Sequence, residues 1–155
     1  MSVSIYTDGA ARGNPGPGGY GAILQWGTVR KEISQGYRYT TNNRMELMAV
    51  IAALQQLKKD GLDITIYSDS SYVVDAVEKG WVFGWVKKGF KDKKNSDLWI
   101  TFLSFYKKHK IKFVWVKGHA QNPMNNRCDE LATAAADSRN WLIDTGYEAE
   151  RNMTM

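Results

Sequence analysis

Val3-Ser4-Ile5-Tyr6-Thr7 alternates apolar and polar side chains, the period of a half-buried strand, and the run stops at Asp8-Gly9. The following segment, Gly13-Asn14-Pro15-Gly16-Pro17-Gly18-Gly19, is too rich in glycine and proline for a helix. Tyr20 to Trp26 and Glu32 to Tyr39 read as two more strands around Gly27-Thr28, continuing a meander from the first. The period changes beyond Thr40. Leu47, Val50, Ile51, Leu54 and Leu57 share one helical face, and Gly61 supplies a stop. Ile64 to Ser68 is strand-like and runs into Asp69, after which Ser70 can cap a helix bearing Val73, Ala76 and Val77 that Gly80 ends. Trp81 to Asn95 mixes aromatics, lysines and glycines. Leu98, Phe102 and Phe105 mark another helix, and Ile111, Phe113 and Trp115 a strand. A loop from Gly118 to Asn126 leads to a last helix with Cys128, Leu131, Ala132 and Ala135 on one face. The chain after Leu142 is polar, and the tail beyond about residue 147 is expected to be loosely ordered.

The order β-β-β-α-β-α-(basic segment)-α-β-α predicts an α/β fold. A helix between two strands of one sheet gives a right-handed parallel crossover, so an antiparallel meander with parallel additions, a mixed sheet flanked by helices, is expected. No repeat, low-complexity tract or linker divides the chain, and its 155 residues, 43% of them hydrophobic, suit a single domain over 1–155. The one cysteine, Cys128, has no internal partner, which points to a reducing, cytoplasmic setting. No apolar run approaches the ~18 residues of a membrane span, and the N-terminus lacks a signal peptide's layout. Membrane, collagen-like, disulfide-scaffold and disordered classes are thereby excluded. A formal charge of +5 hints at a polyanionic partner without locating it.

Chemistry enters with the carboxylates. If the strands ending at Asp8 and Asp69 are parallel neighbours, ~4.8 Å apart, their acids meet at the edge where open α/β sheets hold ligands. Glu46 falls in the first turn of the first helix, within Thr41-Asn42-Asn43-Arg44-Met45-Glu46, and Asp129 near the start of the last. Each has a plainer reading. Glu46 three residues after Asn43 resembles a capping box, Asp129 a first-turn acid, Asp8-Gly9 a turn, and Asp69-Ser70-Ser71 a helix cap. Capping gives no reason, however, for four acids to gather at one sheet edge, where they would repel unless cations lay between them. An all-oxygen donor set suits Mg²⁺ or Mn²⁺ rather than zinc. Such a site serves phosphodiester hydrolysis, in which two ions ~3.5–4 Å apart activate water and stabilise the leaving oxygen. A glycosidase would need only two carboxylates and no basic groove.

Six blocks in order carry a resemblance: Tyr6-Thr7-Asp8-Gly9; Gly13 to Ala22; Thr40 to Leu47; Ser68-Asp69-Ser70; Trp115-Val116-Lys117-Gly118-His119; and Arg127 to Ala132. Together they resemble bacterial type 1 ribonuclease H (ribonuclease HI), from near residue 3 to about Tyr147. The resemblance implies the ribonuclease H-like fold, a five-stranded mixed sheet of order 3-2-1-4-5 with flanking helices. It implies Asp8, Glu46, Asp69 and Asp129 as metal-binding acids and His119 as an aid to proton movement and product release. The implied activity is endonucleolytic hydrolysis of the RNA strand of an RNA–DNA hybrid, leaving 5′-phosphate and 3′-hydroxyl ends, with Mg²⁺ (or Mn²⁺) as cofactor. Two ions are expected with substrate bound, and the enzyme is expected to be a monomer.

The resemblance further assigns minor-groove contact to Asn14 and Asn42, and a DNA-phosphate pocket to Thr41 and Asn43. These side chains suit sugar and base edges, and 2′-hydroxyls are most open in a wide, shallow minor groove. Ser71 stands where the family often has a glutamine. Trp81, Phe83, Trp85 and Phe90, interleaved with Lys87, Lys88, Lys91, Lys93 and Lys94, resemble the family's basic protrusion, in a shorter form with Gly84 and Phe90 as departures. Five lysines against Asp92 alone favour phosphate tracking over a generic solvated face. Three motifs are set aside. Gly16 to Gly21 matches a dinucleotide fingerprint but precedes a strand, Asn152-Met153-Thr154 matches a glycosylation acceptor without sign of secretion, and Cys128 reads as a packed thiol. The rival readings are a catalytically silent hybrid-binding module and a DNA-strand transferase of the same fold.

Overall fold

Residues 2–117 and 122–153 are described by a computed structural model. Strands β1 (Ser2–Ala11), β2 (Gly16–Trp26) and β3 (Val29–Thr40) form the antiparallel meander. On the other side of β1 lie β4 (Asp63–Ser68) and then β5 (Lys110–Trp115), all three parallel. This is the expected order, 3-2-1-4-5. A sixth strand, β6 (Trp141–Leu142), adds parallel to β3 at Gly36 and Tyr37, so the sheet has six strands, not five. Two residues carry no readable period. The edge is fastened instead by Trp141 Nε1, which donates to Ala136 O at 2.8 Å, and by Gln35 Nε2, which donates to Asn140 O at 3.1 Å.

Helix α1 (Asn42–Gln55) is buried on most sides, and Leu47, Val50 and Leu54 are fully enclosed. It shares a core with Ile5, Leu24, Ile64 and Ile66 of the sheet, with α2 (Ser71–Glu78), and with Trp99 and Phe102 of α4 (Ser96–Tyr106). The helix stops at Gln55, ahead of Gly61, which instead turns the chain into β4 at φ +76° and donates to Lys108 O at 2.7 Å. Between α2 and α4 the short α3 (Trp81–Lys87) gives way to a turn with Gly89, Phe90, Asp92 and Asn95 all at positive φ.

Helix α5 (Pro123–Asp137) covers the opposite face of the sheet over β1, β2 and β3. Two glycines of β2 are the reason it fits. Gly16 to Gly19 lie within β2, and a Cβ at Gly19 or Gly21 would stand 2.5 Å from the carbonyl oxygen of Ala132 or Cys128. Cys128, Ala132 and Ala136 are buried in that contact, and the Cys128 thiol donates to Tyr6 O at 3.2 Å.

The chain after Leu142 also departs from expectation. It forms α6 (Thr145–Met153), tied down by a buried charge network. Arg44, 0% exposed, places two guanidinium bonds of 2.8 Å on Asp144 and two of 2.7–2.8 Å on Asp97. Asp144 in turn accepts from Thr40 Oγ1 at 2.7 Å and from the Tyr147 N–H at 3.2 Å. The start of a polar tail is thus held by a buried cation, and Arg38 adds bonds of 3.0 and 2.8 Å to Glu148 within α6. Among the described residues no helix is long and apolar enough to cross a membrane.

Candidate active site

β1 does not end at Asp8. It pairs with β2 as far as Ala11, but its parallel pairing with β4 stops at Tyr6 and Tyr67. Asp8 and Asp69 therefore flank the point where these two strands part, at the C-terminal edge of β4. Helix α1 supplies the third acid. Its N-cap is Thr41, whose hydroxyl accepts from Arg44 N at 3.2 Å, so the capping-box position falls on Arg44 rather than on Glu46. Glu46 lies farther into the helix, 4% exposed, and one of its carboxylate oxygens accepts from the Gly9 N–H. Gly9 makes that approach possible, because a Cβ there would sit 2.5 Å from the backbone of Met45.

Ligand oxygens of Asp8, Glu46 and Asp69 lie within 4.8 Å of one another. Asp129 is not at a helix start as expected. Helix α5 begins at Pro123, capped by Asn122 Oδ1 on Met124 N and Asn125 N, so Asp129 falls in its second turn. It lines the same cleft, of about 450 Å³, with the other three acids, Asn42, Asn43 and Ser71, but stands outside the tight group of three.

Such crowding has an electrostatic cost. Burial, with the charges of Asp69 and Asp129 added, pushes the Asp8 carboxyl up to about 7. Burial likewise raises Glu46 well above the usual carboxylate range, with the Asp8 charge next in effect. Without a cation the Asp8–Glu46 pair retains a proton near neutrality. A hard divalent cation would displace it, and the all-oxygen donor set fits Mg²⁺ or Mn²⁺.

Asn14, Thr41, Asn42 and Asn43 come together beside the acids. Asn14 Oδ1 accepts from the Asn42 N–H at 3.0 Å, and Asn43 belongs both to the acidic cleft and to an adjoining one of about 440 Å³. That second cleft also has Asn14, Thr41, Lys94, Tyr147, Glu150 and Arg151 in its walls. Trp81, Trp85, Lys87 and Lys88 line neither cleft. Trp85 is half-buried, packing edge-on against Trp99 at 5.9 Å, whereas Trp81 is 49% exposed and the five lysines are exposed. Lys93 Nζ lies 5.2 Å over the Trp85 ring, so the segment joins a core aromatic to a charged outer face. His119 lies outside the described residues.

A protein-family model described as RNase H matches residues 1–137. The chain belongs to the ribonuclease H family. Ribonuclease H of Pectobacterium atrosepticum is 52% identical over 96% of this chain and 97% of its own length. Ribonuclease HI of a Synechocystis strain is 50% identical over 94% of each. Among solved structures, a type 1 ribonuclease H with the type 2 active-site motif (LC9-RNase H1) superposes with a TM-score of 0.79, at 30% identity, over 96% of this chain and 80% of its own. LC11-RNase H1 in complex with an RNA/DNA hybrid gives 0.61 at 27% identity, over 88% of this chain and 97% of its own. Ribonucleases H are divalent-metal-dependent endoribonucleases that cleave the RNA strand of RNA–DNA hybrids.

Two buried groups, Arg44 beneath α6 and Asn125 beside the acids, have structural roles that their place in the sequence does not declare. Arg44 carried a signal that was available, a cation three and seven residues before Leu47 and Ile51 on the face that is buried. Asn125, buried under the fork between β1 and β4, carried none, since an asparagine near a helix start reads as a cap.

Proposed function

We propose that this chain hydrolyses the RNA strand of RNA–DNA hybrids with two Mg²⁺ ions (Mn²⁺ as substitute), held by Asp8, Glu46, Asp69 and Asp129, working as a monomer built of a single domain. The observation that carries this reading is the convergence of Asp8, Glu46 and Asp69 within 4.8 Å in an open cleft. Hydrolysis adds water across the P–O3′ bond, leaving the phosphate on the 5′ end of one fragment and a hydroxyl on the 3′ end of the other. The bound cations would polarise the phosphodiester and lower the pKa of the attacking water. The protein's own groups do the rest. Buried carboxylates with raised pKa values surrender their protons on metal loading, and the Gly9 N–H fixes the Glu46 carboxylate.

Substrate discrimination falls to the neighbouring residues. Asn14 and Asn42 would meet the minor groove, and Thr41 and Asn43 a DNA phosphate, from in and around the second cleft. Lys94 shares its walls, linking the cleft to the lysine segment of Trp81, Trp85, Lys87 and Lys88, which would follow the DNA strand. His119, next to this site in the resemblance, would carry protons. The reading is tested by presenting hybrid, duplex DNA and single-stranded RNA separately with Mg²⁺. Cleavage confined to the RNA of the hybrid, with 5′-phosphate products, supports it. Cutting or joining of duplex DNA would favour the strand-transferase reading, and hybrid binding without cleavage the silent module.

A further inference from the structure

The parallel ladder between β1 and β4 ends at the Tyr6–Tyr67 rung, and the next acceptors are satisfied by a side chain from another element. Asn125 Nδ2 donates to Thr7 O at 3.2 Å and to Tyr67 O at 3.1 Å. Only an NH₂ group offers two protons to two carbonyls, so the acceptors themselves fix which way the amide faces. Asn125 is 5% exposed, and its Oδ1 is buried with no partner among the described residues. Thr7 directly precedes Asp8, Tyr67 precedes Asp69 by two residues, and Asn125 precedes Asp129 by four on the same face of α5. One amide thus touches the backbone beside two of the acids and shares a helix face with a third.

We propose that Asn125 is a positioning residue of the metal site, a bridge across the strand fork that sets the spacing of Asp8 and Asp69 and the reach of Asp129. The inference rests on reading the acids as the metal-binding group. Like charges at the tips of two diverging strands push them apart, and no ladder bond resists beyond Tyr6. The two bonds from Asn125 supply that resistance at the fork itself. Mg²⁺ in particular demands closely defined oxygen positions, so a fork free to widen would lose affinity before it lost fold. An aspartate at this position could not serve, because a carboxylate has no proton for either carbonyl.

The test is a calorimetric titration of folded protein with Mn²⁺ above about pH 7, with hybrid affinity measured separately in chelator. Asn125→Ala and Asn125→Asp are expected to weaken Mn²⁺ binding about tenfold or more, the usual cost of losing a group that orients metal ligands. Hybrid affinity in chelator should be unchanged, and raised metal should restore cleavage. Asn122→Ala, which removes the α5 cap without touching the strands, should bind Mn²⁺ as the parent does. Parent-like Mn²⁺ binding by Asn125→Ala, or an equal loss in Asn122→Ala, would overturn the proposal. If Asn125→Ala does not fold, Asn125→Ser, which keeps one donor, is read by the same criteria, and collapse of both would assign the amide to folding alone and overturn it too. A parent protein that takes up no Mn²⁺ would refute the metal-site reading itself, an outcome distinct from these.

Discussion

Asp8 and Glu46 sit at odds with the stability of the chain that carries them. Both are buried, and Asp8 is raised to about 7 because its charged form is disfavoured there. A carboxyl whose folded pKa exceeds its unfolded value of about 4 contributes most to stability at low pH and loses that contribution as pH rises through the folded pKa. The metal-free protein should therefore weaken between about pH 4 and pH 7 at this site, and added Mg²⁺ should restore it. Asp8→Asn removes the penalty. It is expected to raise metal-free stability at pH 7–8 by about 1–2 kcal/mol, read by denaturant titration, while abolishing cleavage. Equal or lower stability of the variant would mean that the site carries no such electrostatic cost. At His119 the expectation is kinetic: His119→Ala should slow single-turnover cleavage and leave hybrid binding nearly intact, whereas parallel loss of both would argue against a role in proton movement.

At the scale of elements, the periodic signals were reliable and the exceptions have physical causes. The meander, α1, β4, α2 and β5 all follow from alternation or helical spacing. Gly16 to Gly19 proved to be strand, and at Gly19, as at Gly21 farther along β2, glycine answers to the close approach of α5, a tertiary demand that no local rule expresses. Helix α6 was illegible for a related reason: its anchor, Arg44, lies about a hundred residues away in sequence. Burial alone would raise the Asp97 carboxyl, but the Arg44 guanidinium outweighs it and holds it below the ordinary value. That stabilisation is present above the unfolded pKa and fades as pH falls through the lowered one, opposite in sign to Asp8. Arg44→Ala strands buried Asp144 without its cation and should cost about 3–5 kcal/mol in denaturant titration, with amide exchange in α6 rising first. An α6 still protected in that variant would show that the network is not its anchor. Asp69 was legible as an acid at a strand end, and Asp8 and Glu46 were legible as candidates although β1 runs on to Ala11 and Glu46 lies past the first turn of α1. The bridge at Asn125 was not, because its acceptors are backbone atoms of two distant strands.

Across the whole molecule, charge is divided rather than spread. The net +5 combines a lysine segment, Lys87 to Lys94, carrying five cations against Asp92, with four acids gathered about one cleft. The lysines stand outside that cleft, exposed to solvent. Replacing the five lysines with glutamine should weaken hybrid binding for every sequence tested and flatten the dependence of log affinity on log salt, by up to about 0.9 for each phosphate no longer neutralised. An unchanged slope would remove the segment from the interface. The catalytic reading depends on the acid cluster being a metal-loaded hydrolytic centre. The direct measurement is single-turnover cleavage of a labelled RNA strand in an RNA–DNA hybrid, with Mg²⁺, with chelator, and with Mg²⁺ restored, for the parent and for Asp8→Asn. Cleavage by the parent that disappears with chelator and returns with Mg²⁺, together with none by Asp8→Asn, is the predicted result; cleavage that persists in chelator, or that Asp8→Asn retains, would contradict it.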